Sequence, residues 1–230
     1  MKIGIIAAMP EELVHLTQNL DRAQEVQVLG NTYYTGTVGK TEVVLVQSGI
    51  GKVMSAMSVA VLANHFQVDA VINTGSAGAV AEGIAVGDVV IADKLAYHDV
   101  DVTAFGYAYG QMAQQPLYFE SDKNFVAKIQ ESLSQLNQKW HLGLIATGDS
   151  FVAGNDKIEA IKSHFPEVLA VEMEGAAIAQ AAQALGLPFL VIRAMSDNAN
   201  HEASISFDEF IIEAGRRSAQ VLLAFLKALN

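Results

Sequence analysis

Short apolar runs alternate along the chain with stretches in which apolar residues recur every three to four positions. The runs predict buried strands, and the second pattern predicts helices that cover them. The predicted strands are Lys2–Ala8, Tyr33–Val38, Thr41–Gln47, Ala70–Thr74, Asp88–Leu95, Leu142–Ala146, Val168–Val171 and Pro188–Ile192. The predicted helices are Pro10–Asn19, Gly51–His65, Phe125–Leu136, Asp156–Ser163, Glu174–Leu185 and Phe207–Leu229.

The order of these elements predicts an α/β fold, a three-layer α/β/α sandwich around a central mixed, mainly parallel sheet. The exception to the alternation is a predicted hairpin, whose two strands turn around Gly39-Lys40. The sequence contains no linker, repeat or low-complexity tract. We therefore expect residues 1–230 to form a single domain.

The segment Asp99–Pro116 has neither periodicity and is rich in Tyr, Gly, Gln and Ala. A loop of this length inside a compact domain is usually functional or part of an interface. Its aromatic residues, Phe105, Tyr107 and Tyr109, favour a buried interface over a mobile surface loop, because exposed aromatic patches are rare in monomers.

Composition excludes several classes of function. The chain is 51% hydrophobic, yet no apolar run approaches the roughly 18 residues that a membrane span needs. The apolar run Ile3–Met9 ends in acidic residues, which favours a buried first strand over a secretory signal. A net charge of −11 argues against nucleic acid or anionic membrane as partners and favours a small ligand. The absence of cysteine excludes disulfides and fits a cytoplasmic location.

Two nucleotide-binding patterns fail at Gly49-Ile50-Gly51-Lys52. A P-loop with this lysine needs Gly at position 46 and Ser or Thr at 53, where the chain has Val46 and Val53. A dinucleotide fingerprint needs a small residue at position 54, which is Met54. We therefore expect no nucleotide cofactor.

Metal and serine-nucleophile sites are disfavoured as well. His98-Asp99-Val100-Asp101 has metal-ligand residue types, but the six histidines are scattered and none lies near His98. Ser76 lies in a glycine-rich turn, but it lacks the Gly-x-Ser-x-Gly pattern of a nucleophile elbow. We expect neither a metal nor any other cofactor.

Acidic residues stand at the ends of three predicted strands. Glu12 follows the first strand, and the segments Val171–Gly175 and Arg193–Asp197 follow two others. Open α/β sheets gather ligands at the carboxyl ends of their strands. Buried charge there must be satisfied by a partner or a substrate. Glu12, Glu174 and Asp197 therefore predict a hydrolytic set of carboxylates.

Six motifs along the whole chain carry a resemblance to a known family. They are Ala8-Met9-Pro10-Glu11-Glu12, Ser48-Gly49-Ile50-Gly51-Lys52, Asn73-Thr74-Gly75-Ser76-Ala77-Gly78, Thr103-Ala104-Phe105-Gly106-Tyr107, Val171-Glu172-Met173-Glu174 and Arg193-Ala194-Met195-Ser196-Asp197. With these motifs in this order, the chain resembles the 5'-methylthioadenosine/S-adenosylhomocysteine nucleosidases of the purine nucleoside phosphorylase superfamily. Ala7 and Pro10 stand where Gly and an acidic residue are expected, but Glu12 is in place.

The resemblance implies a homodimer that irreversibly hydrolyses the bond between adenine and a 5'-thio-substituted ribose in methionine salvage. It implies that Asp197 protonates adenine N7 and accepts a hydrogen bond from the exocyclic amino group, which selects 6-aminopurines. Desolvation must raise the pKa of Asp197 for this role, and the alternative is a helix-capping or turn aspartate. Glu12 is implied as general base, against the alternative that it caps the first helix.

The remaining roles are also implied by the resemblance. Glu174 accepts hydrogen bonds from the ribose hydroxyls and favours a developing cation. Arg193 and Ser76 help to hold the water and the catalytic carboxylate, although Arg193 can also be a structural ion-pair partner of Glu172. Phe151 stacks on adenine and the Val152 backbone hydrogen-bonds its edge. The other implied substrate-binding residues are Met9, Ile50 and Phe207 around the 5'-thio group, Val102 and Phe105 from the partner of a dimer, and Gly78, Glu172, Met173 and Ser196.

Three alternatives remain open. A phosphorylase needs a phosphate site rich in Arg or Lys, or an aligned helix N-terminus. Of the four arginines, Arg22, Arg193, Arg216 and Arg217, only Arg193 is placed near the predicted site, which favours water. A non-catalytic adenosine-binding module would use the carboxylates for binding alone. A futalosine-type nucleoside substrate would use the same catalytic groups. Each apolar pocket residue can also be simple core.

Overall fold

The computed structural model describes residues 1–199 and 203–229, with the backbone alone at 203–206. These residues form ten strands and six α-helices. The strands are β1 Lys2–Ala7, β2 Asp21–Val28, β3 Asn31–Val38, β4 Thr41–Gln47, β5 Ala70–Ala79, β6 Val89–Tyr97, β7 Phe119–Glu120, β8 Trp140–Thr147, β9 Val168–Glu172 and β10 Phe189–Asp197. The helices are α1 Pro10–Thr17, α2 Lys52–Asn64, α3 Lys123–Gln135, α4 Asn155–His164, α5 Gly175–Ala184 and α6 Ala203–Ala228.

The strands form one mixed sheet that curls back on itself. Its order is β10-β6-β8-β9-β5-β1-β4-β3-β2, with β7 paired to β6, and β10 also pairs with β5. Register shifts interrupt the pairings β6–β8, β8–β9 and β5–β10. Such bulges bend a strand and increase its twist, which allows β5, β9, β8, β6 and β10 to close into a ring. The closure brings the carboxyl ends of β5, β8, β9 and β10 together.

Helices cover both faces of the sheet, as β1 illustrates. Ile3 and Ile5 belong to a core cluster with α1, α3 and α6, whereas Ile6 packs on the other face with Leu62 of α2 and Ile178 of α5. This alternation follows from the two-residue repeat of a strand. Each fully buried isoleucine contributes about 1.5–3 kcal/mol to the free energy of unfolding. The predicted α/β fold with helical layers on both faces is confirmed.

The sheet is more evenly mixed than the sequence predicted. Five strand pairings are parallel and five are antiparallel. The predicted hairpin between β3 and β4 is present, and β2 adds a further antiparallel strand beside it. β2 was not predicted because it lies at the sheet edge, where its residues Asp21–Glu25 are all exposed and show no apolar alternation.

Two central strands continue five residues beyond their predicted carboxyl ends, and this places site residues within the sheet. β5 continues past Thr74 to Ala79, and β10 continues past Ile192 to Asp197. Every residue of both strands is buried, although these extensions carry polar side chains and glycine rather than an apolar run. Ser76 and Arg193 therefore lie within strands rather than in the turns that follow them.

The segment Asp99–Pro116 contains a single short 3₁₀ turn, Thr103–Phe105, as its lack of periodicity predicted. Tyr109 is anchored within the chain, because its ring stacks on His164 with centroids 3.8 Å apart and its hydroxyl donates to the His98 carbonyl. Phe105 is 81% exposed. No helix in the described ranges is both long and apolar enough to cross a membrane.

Candidate active site

The ends of the central strands and the loops that follow them surround a cavity of about 350 Å³. Its lining is apolar except for a group of carboxylates, one guanidinium and three serines. The lining residues are Ala8, Met9, Glu12, Ile50, Ser76, Ala77, Gly78, Ser150, Phe151, Val152, Val171, Glu172, Met173, Glu174, Arg193, Ser196, Asp197 and Phe207. The sequence predicted fourteen of these eighteen residues as site residues.

Glu12 lies in the first turn of α1, which begins at Pro10, and its side chain is buried. One carboxylate oxygen accepts hydrogen bonds from the backbone N–H groups of Ala8 and Met9, at 3.0 and 3.1 Å. The other accepts from the backbone N–H and the hydroxyl of Ser76, both at 2.9 Å. Glu12 therefore caps its helix, as the alternative considered from sequence had it, and the same carboxylate also projects into the cavity beside β5.

Gly75 makes the approach of Glu12 to β5 possible. A Cβ atom at this position would lie 2.7 Å from a Glu12 oxygen and 2.8 Å from Arg193 Nη1. Its φ of +154° is also a conformation that side chains rarely adopt. No residue larger than glycine can stand here without displacing the acid or the guanidinium.

Arg193 is the buried centre of an ion-pair network and is 1% exposed. Its Nη2 donates to Glu172, to Glu174 at 3.2 Å and to the side-chain oxygen of Asn73 at 2.5 Å. Its Nη1 donates to the Ser76 carbonyl at 3.1 Å. The structural ion pair with Glu172, considered from sequence, is present, and Arg193 reaches Glu12 indirectly through Ser76.

Glu172 is held from several sides. Thr147 donates its hydroxyl proton to one carboxylate oxygen of Glu172 and accepts a hydrogen bond from the backbone of Ala176 at 2.8 Å. The other oxygen accepts from Arg193 and from the backbone N–H groups of Glu174 and Gly175, at 2.9 and 2.7 Å. Glu172 thus fixes both the guanidinium and the start of α5.

Glu174 is the residue immediately before α5 rather than a member of its first turn. One oxygen accepts from the backbone N–H of Gly51 at 2.9 Å, and the other from Arg193. Burial raises the pKa of Glu174 to about 7, against the lowering effect of the Arg193 charge, and the neighbouring Glu172 raises it further. Glu174 can therefore change its charge near neutral pH.

Asp197 ends β10 at a bulge, where Ser196 is inserted between residues paired with Ala77 and Gly78. One oxygen of Asp197 accepts from the Ala199 backbone at 2.7 Å and the other from the Ser196 hydroxyl at 2.9 Å. Burial raises the pKa of this carboxyl above its ordinary value, while both hydrogen bonds lower it. No Arg or Lys in the described residues pairs with it.

A largely apolar wall faces these polar groups. It includes Phe151 and Phe207, whose rings meet edge to face with centroids 5.8 Å apart. Ile50 and Phe151 are 55% and 42% exposed, so they are not core residues. Val102 and Phe105 do not line the cavity of their own chain.

Sequence reasoning missed two kinds of residue. Ala8, Ala77, Ser150 and Val171 line the cavity without a chemical signal of their own. Asn73 accepts a hydrogen bond from Arg193, and Thr147 donates one to Glu172, although neither residue lines the cavity. Thr147 could have been found, because it is a polar residue at the end of an apolar strand, which is the signal that identified the carboxylates.

Potential anion-binding groups beside the cavity are already paired. Lys52 forms an ion pair with Asp99 at 2.8 Å, and at the start of α2 the N–H groups of Gly51 and Lys52 donate to Glu174 and Asp149, respectively. Arg216 and Arg217 both pair with Glu213, away from the cavity. Within the described residues, no group of three or more His, Cys, Asp or Glu side chains could hold a metal ion.

Comparison with known proteins places this site in a family. The model of the phosphorylase superfamily matches residues 2–227. A 5'-methylthioadenosine/S-adenosylhomocysteine nucleosidase from Listeria welshimeri is 48% identical over 233 residues, covering 100% of both chains. The solved structure of such a nucleosidase from S. pneumoniae with a transition-state inhibitor, MT-ImmA, is 88% identical, with a TM-score of 0.98 over 100% of both chains.

A second solved structure agrees. The S-adenosylhomocysteine nucleosidase from Streptococcus pyogenes in complex with 5-methylthiotubericidin is 66% identical, with a TM-score of 0.98, and the match covers 100% of this chain and 98% of that one. Similarity of this degree extends over every element that forms the cavity. The chain belongs to the 5'-methylthioadenosine/S-adenosylhomocysteine nucleosidases of the phosphorylase superfamily.

Proposed function

We propose that the protein hydrolyses the N-glycosidic bond of 5'-methylthioadenosine and S-adenosylhomocysteine, and also that of 5'-deoxyadenosine. The products are adenine and the corresponding ribose, as methionine salvage requires. The observation that carries the proposal is the pair of differently placed carboxyl groups in one cavity. Asp197 has a raised pKa in an apolar setting without a cation, whereas Glu12 accepts four hydrogen bonds. Two carboxyl groups in different environments suit an acid and a base.

Asp197 acts as the acid that makes adenine a better leaving group. In its protonated form, one oxygen donates to N7 of the purine and the other accepts from the 6-amino group. A 6-oxopurine offers a carbonyl at that position, which leaves two acceptors opposed. The raised pKa of Asp197 supports this assignment, because the group must keep a proton at neutral pH.

Glu12 acts as the base that activates the attacking water. Its hydrogen bonds come from Ala8 and Met9, which connect β1 to α1, and from Ser76 of β5, so its position is fixed before substrate binds. Ser76 donates to Glu12 and its carbonyl accepts from Arg193, which connects the base to the buried ion-pair network. A positioned base of this kind contributes about 10²–10⁴-fold to a rate.

The carboxylates under the ribose stabilise positive charge. Glu174 accepts hydrogen bonds from the ribose hydroxyls, and Arg193 is shared between Glu174 and Glu172. Acidic groups therefore outnumber the single guanidinium, which favours an oxocarbenium-like centre over a neutral sugar. Adenine stacks on Phe151 with the Val152 backbone at its edge. Met9, Ile50 and Phe207 receive the 5'-thio substituent, with Gly78, Met173 and Ser196 completing the pocket.

Water rather than phosphate is the nucleophile. A phosphate site needs free cationic side chains or a free helix N-terminus. Arg193 and Lys52 are both engaged by carboxylates, and the α2 N-terminus donates to Glu174 and Asp149. A phosphate anion would have to displace these carboxylates from their cationic and N–H partners, and it would be repelled by the acidic groups that line the cavity.

The functional unit is a homodimer in which Phe105 and Val102 complete the partner's cavity. Phe105 is 81% exposed, and α2 carries two further exposed apolar side chains, Val53 at 69% and Met57 at 51%. Large apolar side chains left in water on neighbouring segments fit an interface with a second copy. If the dimer completes the site, the sedimentation coefficient and the specific activity should fall together as the protein is diluted.

Products formed from 5'-methylthioadenosine with and without inorganic phosphate test the proposal. Adenine and free methylthioribose should appear at the same rate in both conditions. Methylthioribose 1-phosphate formed only with phosphate would identify a phosphorylase and refute the assignment of water. No adenine in either condition would identify a binding module. Hydrolysis of both substrate types would use the same catalytic groups. The kcat/KM for 5'-methylthioadenosine compared with that for a futalosine-type nucleoside therefore decides which one the site prefers.

A further inference from the structure

Lys52 occupies a position that neither the acid–base assignment nor the ribose site uses. It is the first residue of α2, directly after Ile50 and Gly51, and its side chain is 24% exposed. Its ammonium lies 2.9 and 2.8 Å from the two carboxylate oxygens of Asp99 and 3.8 Å from Asp149. The lysine therefore bridges two other segments of the chain, one 47 and the other 97 positions away in sequence.

Backbone hydrogen bonds complete this cluster. The Lys52 N–H donates to Asp149 at 2.8 Å, and the Asp149 N–H donates to Asp99 at 2.8 Å. Each pair of the three residues is thus joined directly. We call Lys52, Asp99 and Asp149 the clasp. It joins the segments that lead into the Ile50 and Phe151 walls of the nucleoside cavity to the segment that carries Phe105.

The walls that the clasp joins have little packing of their own. Ile50 precedes it by two residues and Phe151 follows Asp149 by two, and both are more than 40% exposed. Side chains this exposed cannot be positioned by core packing alone. Gly51 is also tied to Glu174 through its N–H, and this contact with the ribose site does not involve the clasp. Asp99 begins the segment that carries Phe105.

We propose that Lys52 is a positioning residue for nucleoside binding, because it draws Asp99 and Asp149 together and so fixes the Ile50 and Phe151 walls of the cavity. This inference rests on the proposed function and deepens it. Glu12 and Asp197 are held by other contacts, so the chemical step is left intact when the clasp opens. Partly exposed ion pairs contribute little to the free energy of unfolding, so we expect the main effect of opening the clasp in substrate binding.

Lys52→Met tests the clasp, and Lys94→Met is its matched control. Lys94 pairs with Glu167 at 3.2 Å with similar exposure, and both lysines lie over a tyrosine ring. No residue within two positions of Lys94 or Glu167 lines the cavity, however, so this pair joins no wall of the site. The KM for 5'-methylthioadenosine should rise about tenfold in Lys52→Met, the scale of coupling within one ion-pair network. The kcat should stay within about twofold, because only binding is weakened. Lys94→Met should match the wild type, and Lys52→Arg should recover most of the lost affinity.

Ionic strength provides a second readout. 5'-Methylthioadenosine carries no net charge, so added salt acts on the protein's own partly exposed ion pairs. The KM of the wild type and of Lys94→Met should rise with salt, whereas that of Lys52→Met should not. Equal KM values and equal salt dependence in the two variants overturn the proposal. So does a loss of thermal stability and kcat in Lys52→Met with KM unchanged.

Asp149→Asn carries the same test if Lys52→Met does not fold. The amide oxygen can still accept from the Lys52 N–H, but the charge is gone, so KM should again rise while kcat is retained. If the wild type releases no adenine at all, the proposed function fails. Calorimetric binding of 5'-methylthioadenosine to the same variants then decides the clasp separately.

Discussion

Replacement of Asp197 by Asn separates proton donation from every other role of this residue. The two side chains have the same shape, but only the protonated acid can transfer a proton to adenine. The hydrogen bonds of the site can adapt to the change. The Ala199 N–H can donate to the amide oxygen, while the amide nitrogen donates to Ser196, whose own proton can turn to the Ala77 carbonyl at 3.4 Å.

The magnitudes follow from this inventory of contacts. No buried group is left unpaired, so the free energy of unfolding should change by less than about 1 kcal/mol. The lost proton transfer should lower kcat by about 10²–10⁴-fold, or roughly 3–5 kcal/mol of transition-state stabilisation. Because the folded-state pKa of Asp197 is raised, its ionisation opposes folding as the pH rises. The free energy of unfolding of Asp197→Asn minus that of the wild type should therefore be larger at pH 8 than at pH 5.

Three assays check the prediction. Adenine release measures kcat, thermal unfolding at the two pH values measures stability, and a ribosyl substrate with a nitrophenolate leaving group isolates the acid. That leaving group departs without protonation, so Asp197→Asn should cleave it at nearly the wild-type rate. Asp88 is the contrasting control, because Lys139 and His141 help to hold its pKa below the ordinary value and Asp88→Asn should destabilise the protein. An Asp197→Asn variant with wild-type adenine release would refute the acid assignment.

Three further predictions concern the remaining polar groups. Glu12→Gln places an amide where four donors converge and should lower kcat about 10²-fold or more. The neighbouring control variant Glu11→Gln should keep the wild-type kcat. Equal losses of kcat in the two variants would contradict the assignment of Glu12 as the base. With the pKa of Glu174 raised to about 7, kcat/KM should increase with pH up to about 7, and a pH profile that is flat from 5.5 to 7 contradicts its role. Thr147→Val leaves Glu172 without its hydroxyl donor and should destabilise the protein by about 1–3 kcal/mol in denaturant unfolding; no change means that the contact is dispensable.

The sequence identified which residues line the site better than how they are arranged. Polar residues at the ends of apolar strands identified Glu12, Glu174 and Asp197, because charge in such places needs a partner. Sequence position says nothing about register, however. Thr147 lies opposite Glu172 only because β8 and β9 pair in parallel at that residue.

Two strands, β2 and the two-residue β7, were not predicted. The missed β2 and the closed sheet have separate physical causes. β2 is polar because it lies at an edge exposed to water, so its strand conformation depends on pairing with β3 rather than on its own pattern. The closure of β10 onto β5 depends on bulges, such as the one at Ser196, that no periodicity reveals. The same bulge sets Asp197 against Gly78, where a Cβ atom would lie 2.8 Å from its carboxyl oxygen.

The central claim is that Asp197 is protonated in the free enzyme at neutral pH and donates this proton to adenine. The infrared difference spectrum between wild type and Asp197→Asn at pH 7 tests it most directly, because a protonated carboxyl and a carboxylate absorb in separate regions. The account predicts a protonated-carboxyl band in the wild type that is missing from the variant. A carboxylate band in its place would show that Asp197 is ionised and contradict the proposed acid.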